Sequence, residues 1–185
     1  MQIDFSPYKI KTEIGKRHLE SFELIKWVMK AKDQTKGKGA RPWLQHIKIE
    51  NPLKDGYNGM VAEMIACDGF RIHHALIGLP VTPDNFSQGI YNVSTKGKTL
   101  IIDPATIEYK YPDWKAIVDY GLFDLEKVMS KFTKIDGAFL VDSIPPKTED
   151  DTDSVTIKYR DEKSPMLIYR SNNRTNYAVI MPMWL

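Results

Sequence analysis

The feature that most constrains the fold is a repeat in the order of predicted elements, in which a strand, an amphipathic helix and several strands occur twice. The first predicted helix spans 18–33 and the second spans 122–134. Each helix carries one apolar stripe, and corresponding stripe residues are 100 positions apart. The matched residues are Phe22 and Leu122, Ile25 and Leu125, Val28 and Val128, and Met29 and Met129. This pattern indicates a duplicated β-α-β-β-β module.

Short apolar runs between turn residues predict that most of the remaining chain forms antiparallel strands. Asp68-Gly69 is the clearest turn, because an Asp-Gly pair favours a tight β-hairpin. Gly15–Arg17 reads as a turn, and Ala138–Ile144 reads as a strand. The predicted fold is α+β, with two helices packed on antiparallel sheets in a single domain, 1–185. Module one takes in about residues 1–88 and module two about residues 89–185.

The stretch 164–185 contains a second hairpin signal and an unusual ending. The apolar runs Met166–Tyr169 and Tyr177–Met181 flank a polar turn. The sequence then closes with Met181-Pro182-Met183-Trp184-Leu185, which has no polar tail. Two interpretations remain open: these side chains complete the core of their own domain, or they line a surface groove. Met and Trp suit adaptable apolar recognition.

Positive charge is concentrated near the start of the sequence, although the net charge is only +2. Residues 9–48 contain eleven Lys and Arg residues against four acidic residues, whereas acidic residues cluster at 149–153. A solvated surface explains such runs, and so does a face that meets a polyanion such as DNA. The candidates for DNA contact are the lysines on the predicted helices: Lys26, Lys30, Lys127, Lys131 and Lys134.

Residues with catalytic or metal-binding chemistry do not form a motif that we recognise. His73 and His74 are adjacent on a predicted strand, so they point to opposite faces and make a poor chelating pair. We therefore expect no metal, no cofactor and no enzymatic activity. The alternative is a small enzyme with a cleft near Asp68, Arg71 and His73.

Features of the whole sequence predict a cytoplasmic protein. The single Cys67 cannot form an internal disulfide, which suits a reducing compartment. The sequence has no apolar run of the length of a membrane span, and its first residues lack the layout of a signal peptide. We therefore expect no membrane partner.

Three segments carry a family resemblance. Ala66–Ile72 reads ACDGFRI, Tyr111–Val118 reads YPDWKAIV, and Tyr177–Leu185 reads YAVIMPMWL. They resemble, in that order, the ATDGHRL hairpin, the FPDYRRVL segment and the YVVMPMRL ending of the bacterial DNA polymerase III β subunit, the β sliding clamp. The departures from the family make these segments more apolar: Cys67, Phe70, Ala116 and Trp184.

The resemblance implies a duplicated strand-helix-strands fold whose helices turn basic faces toward DNA. In the β clamp family the three segments line a pocket that grips the short linear motif of clamp-binding proteins. The resemblance therefore implies a peptide-binding groove in this chain. Its residues would be Cys67, Gly69, Phe70, Arg71, Ile72, Pro112, Ile117, Val179, Ile180, Met181, Pro182, Met183 and Leu185.

The function that the resemblance implies is that of a non-enzymatic, clamp-like module of the replication or repair machinery. Its partners would be double-stranded DNA, bound weakly and without sequence preference, and the peptide motifs of clamp-binding proteins. A homo-oligomer is a further hypothesis. The family has three such domains per chain and closes as a dimer, whereas this sequence has one, so a ring of the same size would need six copies. A clamp relic that only oligomerises is a further hypothesis.

Overall fold

The computed structural model describes residues 1–9, 11–35, 39–54, 59–106, 110–118, 137–149, 151–159 and 164–181. In these ranges nine strands form one antiparallel sheet in the order β1-β6-β5-β2-β3-β4-β9-β8-β7. The strands are β1 Gln2–Asp4, β2 Ile47–Lys54, β3 Met60–Cys67, β4 Arg71–Leu79, β5 Gly89–Lys96, β6 Thr99–Pro104, β7 Val155–Lys158, β8 Met166–Arg170 and β9 Asn173–Ile180. The helices are α1 Glu13–Met29, α2 Trp114–Val118 and α3 Gly137–Ser143. The predicted α+β class with antiparallel strands is confirmed.

The pairing of β4 with β9 lies between two similar sets of strands. Arg71 is opposite Ile180 and His74 is opposite Tyr177 across this pair. On one side the sheet continues through β3 and β2, and on the other through β8 and β7. The sets β2-β3-β4 and β7-β8-β9 are each three consecutive antiparallel strands, as a duplicated module requires, and β5, β6 and β1 extend the sheet beyond β2. The predicted helix 122–134 lies outside the described residues.

Helix α1 begins at Glu13, five residues before the position that the sequence pattern predicts. Thr12 is its N-cap, and the Thr12 hydroxyl oxygen accepts a hydrogen bond from the Gly15 amide at 3.1 Å. The predicted turn at Gly15 is wrong, because this glycine lies inside the first helical turn. A Cβ atom at Gly15 would collide with the Lys9 backbone, so the residue serves close packing.

The apolar stripe of α1 packs against the sheet as its spacing predicts. Phe22, Ile25 and Val28 are buried in the main core, and Met29 packs partly buried against it. The opposing strands contribute alternate residues of β2, β3 and β4, which is the period expected when one sheet face is covered. Each large apolar side chain buried in this way stabilises the fold by about 1.5–3 kcal/mol.

The predicted strand at Ala138–Ile144 is wrong, since residues 137–143 form helix α3. Leu140 and Ile144 pack together against Met166, Ile168 and Ile180 of the sheet. Residues four apart share a face in a helix, so a helical turn brings both side chains onto the strands. A short apolar run fits either a strand or a helix, and here packing decided the outcome.

Alternation along the strands gives the sheet two distinct faces. His73, Ala75 and Ile77 of β4 point toward α1, on what we call the helix face. Ile72 and His74 point the other way, on what we call the outer face. The outer face is covered in part by α2 and by a 3-10 helical turn, Pro42–Leu44.

The His73 side chain is fully buried beneath α1, and its imidazole ring is neutral. Its Nδ1 lies 2.9 Å from the Trp27 carbonyl oxygen, and the two rings stack with centroids 4.3 Å apart. Burial lowers the pKa of His73 to about 3. The unfolded chain therefore binds a proton at this residue near pH 6.5, whereas the folded protein does not.

We expect His73 to make the protein acid-sensitive. As the pH falls from 6.5 toward 3, the unfolded state gains a proton that the folded state lacks, so the free energy of unfolding drops by up to about 1.4 kcal/mol per pH unit. His73→Phe keeps an aromatic ring against Trp27 and should flatten this dependence, measured by urea unfolding at pH 7, 6 and 5. The control His46→Phe, at a half-buried position, should keep the steep dependence. If the free energy of unfolding depends on pH equally in His73→Phe and in wild type, His73 is not the cause of the acid sensitivity.

Candidate functional site

The outer face carries an apolar cluster, called here the outer-face cluster, that joins residues distant in sequence. Its members come from β3, β4, β8 and β9, from α2 and from the Pro42–Leu44 turn. Trp43 and Ile117 pack against it partly buried. The buried members are Leu44, Ile65, Cys67, Ile72, Trp114, Val118, Leu167, Tyr169, Tyr177 and Val179.

The β3–β4 hairpin at one end of this cluster is held by Asp68. One carboxylate oxygen accepts hydrogen bonds from the Phe70 and Arg71 amides, both at 2.9 Å, and the other accepts one from Arg71 Nε at 2.9 Å. Gly69 has a φ of 87°, which a residue with a side chain rarely adopts. The Arg41 guanidinium donates to the Asp68 carbonyl oxygen and lies over the Phe70 ring. Phe70 is thus fixed at the hairpin tip, 48% exposed.

Cys67 lines the cluster as a neutral thiol. Its sulfur accepts a hydrogen bond from the Gly69 amide at 3.3 Å. Burial raises the pKa of the Cys67 thiol, so the reactive thiolate is disfavoured. The side chain therefore acts as a small apolar group in this wall.

The segment 110–118 crosses the outer face and is anchored by aromatic residues. The Tyr111 hydroxyl donates to the Ile65 carbonyl oxygen at 3.2 Å, and burial raises the pKa of this phenol. Trp114 opens α2, is 5% exposed and lies against His74 with ring centroids 5.1 Å apart. Pro112 and Ile117 stay half-buried and so remain partly accessible.

The structure brings together part of the predicted groove and separates the rest. Cys67, Ile72, Ile117 and Val179 lie in or against the outer-face cluster. Gly69 and Phe70 form the hairpin tip, and the half-buried Met181 donates its amide to the Phe70 carbonyl oxygen at 2.7 Å. Pro182, Met183, Leu185 and Trp184 lie outside the described residues.

Arg71 and Ile180 project to the helix face, away from the outer-face cluster. Ile180 packs with α3, and Arg71 Nη2 donates to the Lys30 carbonyl oxygen at 2.8 Å. The Arg71 guanidinium also lies 4.8 Å from the Phe139 ring centroid. Adjacent residues of a strand alternate between faces, so Ile72 and Arg71 cannot line the same surface.

The enzyme alternative required an accessible cleft at Asp68, Arg71 and His73. Asp68 and Arg71 satisfy each other through an ion pair at 2.9 Å, with both side chains buried. His73 is fully buried under Trp27. These three side chains do not form an open cleft. Among the described residues, no group of three or more His, Cys, Asp or Glu side chains could hold a metal ion.

The two described lysines that we predicted to face DNA each contact a carboxylate. Lys26 bonds Glu23 one helical turn away at 2.7 Å, and Lys30 bonds Asp142 of α3 at 3.0 Å. Both lysine side chains remain about half exposed. Lys127, Lys131 and Lys134 lie outside the described residues. Within the described ranges, no helix has the length and apolar character needed to cross a membrane.

Sequence reasoning missed four outer-face residues: His74, Trp114, Tyr169 and Tyr177. His74 and Tyr177 stack with centroids 4.5 Å apart, at an angle of 12° between the rings. His74 Nε2 lies 3.4 Å from Glu63, and this contact is the main reason that the pKa of Glu63 is lowered to about 2. Alternation from Ile72 to His74, and from Val179 to Tyr177, was the signal that could have identified two of them.

Comparison with solved structures identifies this architecture. The fold is that of a bacterial β sliding clamp. The chain is similar to Caulobacter crescentus pol III beta with a TM-score of 0.54 and 11% identity, covering 100% of this chain and 65% of that one. It is also similar to the Pseudomonas aeruginosa sliding clamp with ligand, with a TM-score of 0.55 and 14% identity, covering 100% of this chain and 66% of that one.

A third clamp with this fold is that of Bartonella birtlesii bound to griselimycin. It aligns with a TM-score of 0.56 and 12% identity, covering 91% of this chain and 65% of that one. The similarity to these clamps thus spans about two thirds of each clamp chain. No protein-family model matches the sequence, and no curated protein matches it.

We expect Trp114 to hold α2 on the outer face of the clamp fold. Trp114→Ala removes a large buried ring and leaves a cavity beside His74, so the free energy of unfolding should fall by about 3–5 kcal/mol in urea titrations. Lys110→Ala, at an exposed position of the same segment, should change it by about 0.5 kcal/mol or less. A loss below about 1 kcal/mol for Trp114→Ala would contradict this role.

Proposed function

We propose that this protein is a non-enzymatic, clamp-like module of the replication or repair machinery that binds short apolar peptide motifs on its outer face. The observation that carries the proposal is the outer-face cluster. It places parts of the three segments that resemble the clamp peptide pocket side by side: Cys67 and Ile72, then Ile117, then Val179. These residues are distant in sequence, and the clamp fold brings them to one surface.

Partly exposed apolar groups on or next to the elements that form the outer-face cluster suit a peptide side chain. Pro112, Ile117 and Met181 are half-buried, and Phe70 is about half exposed. Contiguous apolar surface on a folded protein commonly marks an interaction site, and thioether and aromatic groups adapt to varied partners. The Bartonella birtlesii clamp was solved bound to griselimycin, which supports ligand binding by a protein of this fold.

A short linear peptide should bind this surface with an affinity on the order of micromolar, or about −8 kcal/mol. Only a few side chains enter the groove, and the peptide loses conformational freedom on binding. Binding should not alter the covalent structure of the peptide, because the proposed role is recognition.

Ile117→Asp is expected to remove peptide binding while the protein stays folded. The carboxylate would be desolvated by the bound peptide without a partner, so affinity should fall at least about tenfold, measured by fluorescence anisotropy with a labelled clamp-motif peptide. The matched control is Ile157→Asp, since Ile157 is 43% exposed on β7 and points to the helix face. If Ile117→Asp and Ile157→Asp weaken peptide binding equally, the peptide does not bind at the outer-face cluster. No binding to wild type at high micromolar concentration would leave the oligomerising relic as the better hypothesis.

DNA contact is the second part of the proposed function, and the clamp fold is the observation that favours it. Helix α1 exposes Lys26 and Lys30 on the side opposite the outer face, which separates a DNA-facing surface from the peptide surface. Because Glu23 and Asp142 already partner these lysines, each phosphate contact must compete with a carboxylate. We therefore propose weak, sequence-independent binding.

The salt dependence of DNA binding tests this surface. Each lysine that neutralises a phosphate should contribute about −0.9 to the slope of log affinity against log salt concentration. Lys30→Glu should therefore weaken binding and make the slope shallower by about one, measured by anisotropy with labelled duplex DNA. Lys96→Glu, at the exposed β5–β6 turn, is the control and should have less effect. Absence of binding at low salt would reject the DNA-facing role.

A further inference from the structure

A second concave surface lies on the outer face beside the outer-face cluster. It is an open depression of about 480 Å³ between β3, β4 and the start of β9. Tyr177 belongs both to its lining and to the outer-face cluster, and Trp114 packs on His74. The depression therefore borders the outer-face cluster. The lining residues are Glu63, His74, Leu76, Arg174, Thr175 and Tyr177, and none of them belongs to the groove that the family resemblance implies.

The floor of the depression is partly apolar and fixed in place. The His74 and Tyr177 rings are 7% and 5% exposed and stack on each other almost parallel, so they present ring edges to the depression. His74 Nδ1 donates to the Thr175 carbonyl oxygen at 2.9 Å. Leu76 continues this floor along β4 and is 41% exposed. Its amide donates to the Asn176 side chain at 3.0 Å, which ties β4 to β9 beneath the depression. Such a floor suits an aromatic ring, because edge-to-face contact with these ring edges and apolar contact with Leu76 act together.

The charges around the depression favour a ligand that carries a carboxylate. Glu63 is engaged on both oxygens, by Asn51 at 2.9 Å and by His74 at 3.4 Å. Arg174 is exposed and lies 5.9 Å from the Tyr169 ring centroid, and it forms no ion pair with any residue in the described ranges. The guanidinium at the rim is thus available, and its planar donors match a carboxylate.

We propose that this depression is a second subsite for the peptide that occupies the outer-face groove, and that it takes an aromatic residue next to an Asp or Glu. The aromatic ring contacts the exposed Leu76 side chain and the ring edges of His74 and Tyr177, and the peptide carboxylate pairs with Arg174. This inference rests on the proposed peptide-binding function. A nucleic acid fits less well, since Arg174 is the one Lys or Arg in the described lining and a polyanion is held by several such residues.

Peptides of two lengths test the subsite. The core probe is a fluorescent clamp-motif peptide, and the extended probes carry Gly-Tyr-Asp at its C-terminal end or Asp-Tyr-Gly at its N-terminal end. One extended probe should bind wild type about tenfold tighter than the core probe. Its Asp→Asn version should lose most of that gain, because the carboxylate that pairs with Arg174 is missing.

Protein variants separate this subsite from the groove. Arg174→Gln should remove the gain from the extension and leave the affinity for the core probe within about twofold of wild type. Leu76→Asp should also remove the gain, because it places a carboxylate in the floor. The control Lys96→Gln, at the exposed β5–β6 turn, should keep the full gain.

The outcomes distinguish this inference from the function on which it rests. Core binding without any gain from either extension overturns the subsite and leaves the proposed function intact. A gain that persists in Arg174→Gln overturns the assignment of the carboxylate to Arg174. Failure of wild type to bind any of the probes overturns both proposals. Displacement of the extension by a single-stranded oligonucleotide, with the core still bound, assigns the depression to nucleic acid and overturns the peptide subsite.

Discussion

The pairing of β4 with β9 is the interaction on which both faces of the molecule depend. It places Ile72 opposite Val179 and His73 opposite Ala178, so that residues from the two halves become neighbours. The first pair lies in the outer-face cluster, and the second lies under α1. A shift by one residue would exchange the two faces of β9 and destroy both packing arrangements. Burial of both faces therefore fixes the register.

Much of the fold was predictable where the sequence signal is local. The apolar stripe of α1 repeats with the helical period, and the Asp68-Gly69 turn gives the β3–β4 hairpin, so these elements were correctly assigned. The start of α1 differs from the prediction because a glycine favours a turn, whereas here Thr12 caps the helix and close packing against Lys9 explains Gly15. Helix α3 was missed because a short apolar run carries no distinct period.

The candidate site was predictable only in part, because strand pairing and not local sequence decides which residues meet. The resemblance covers continuous segments, but neighbouring residues of a strand point to opposite faces of the sheet. Ile72 and Val179 therefore lie on the outer face, and Arg71 and Ile180 lie on the helix face. The contact of His74 with Tyr177 follows from the β4–β9 register, which single segments do not contain. The site can therefore be predicted only when the register of the β4–β9 pair is known.

The long separation between β4 and β9 also has a consequence for biosynthesis. His74 bonds a carbonyl group 101 residues further along the chain, so β4 is synthesised long before its partner strand. During that interval one edge of β4 lacks its partner, and Ile72 and His74 lack the neighbours that cover them. Unpaired edges and uncovered apolar groups promote association between nascent chains. Production of this protein should therefore depend on the pace of translation and on chaperones that shield the first half until the second half arrives.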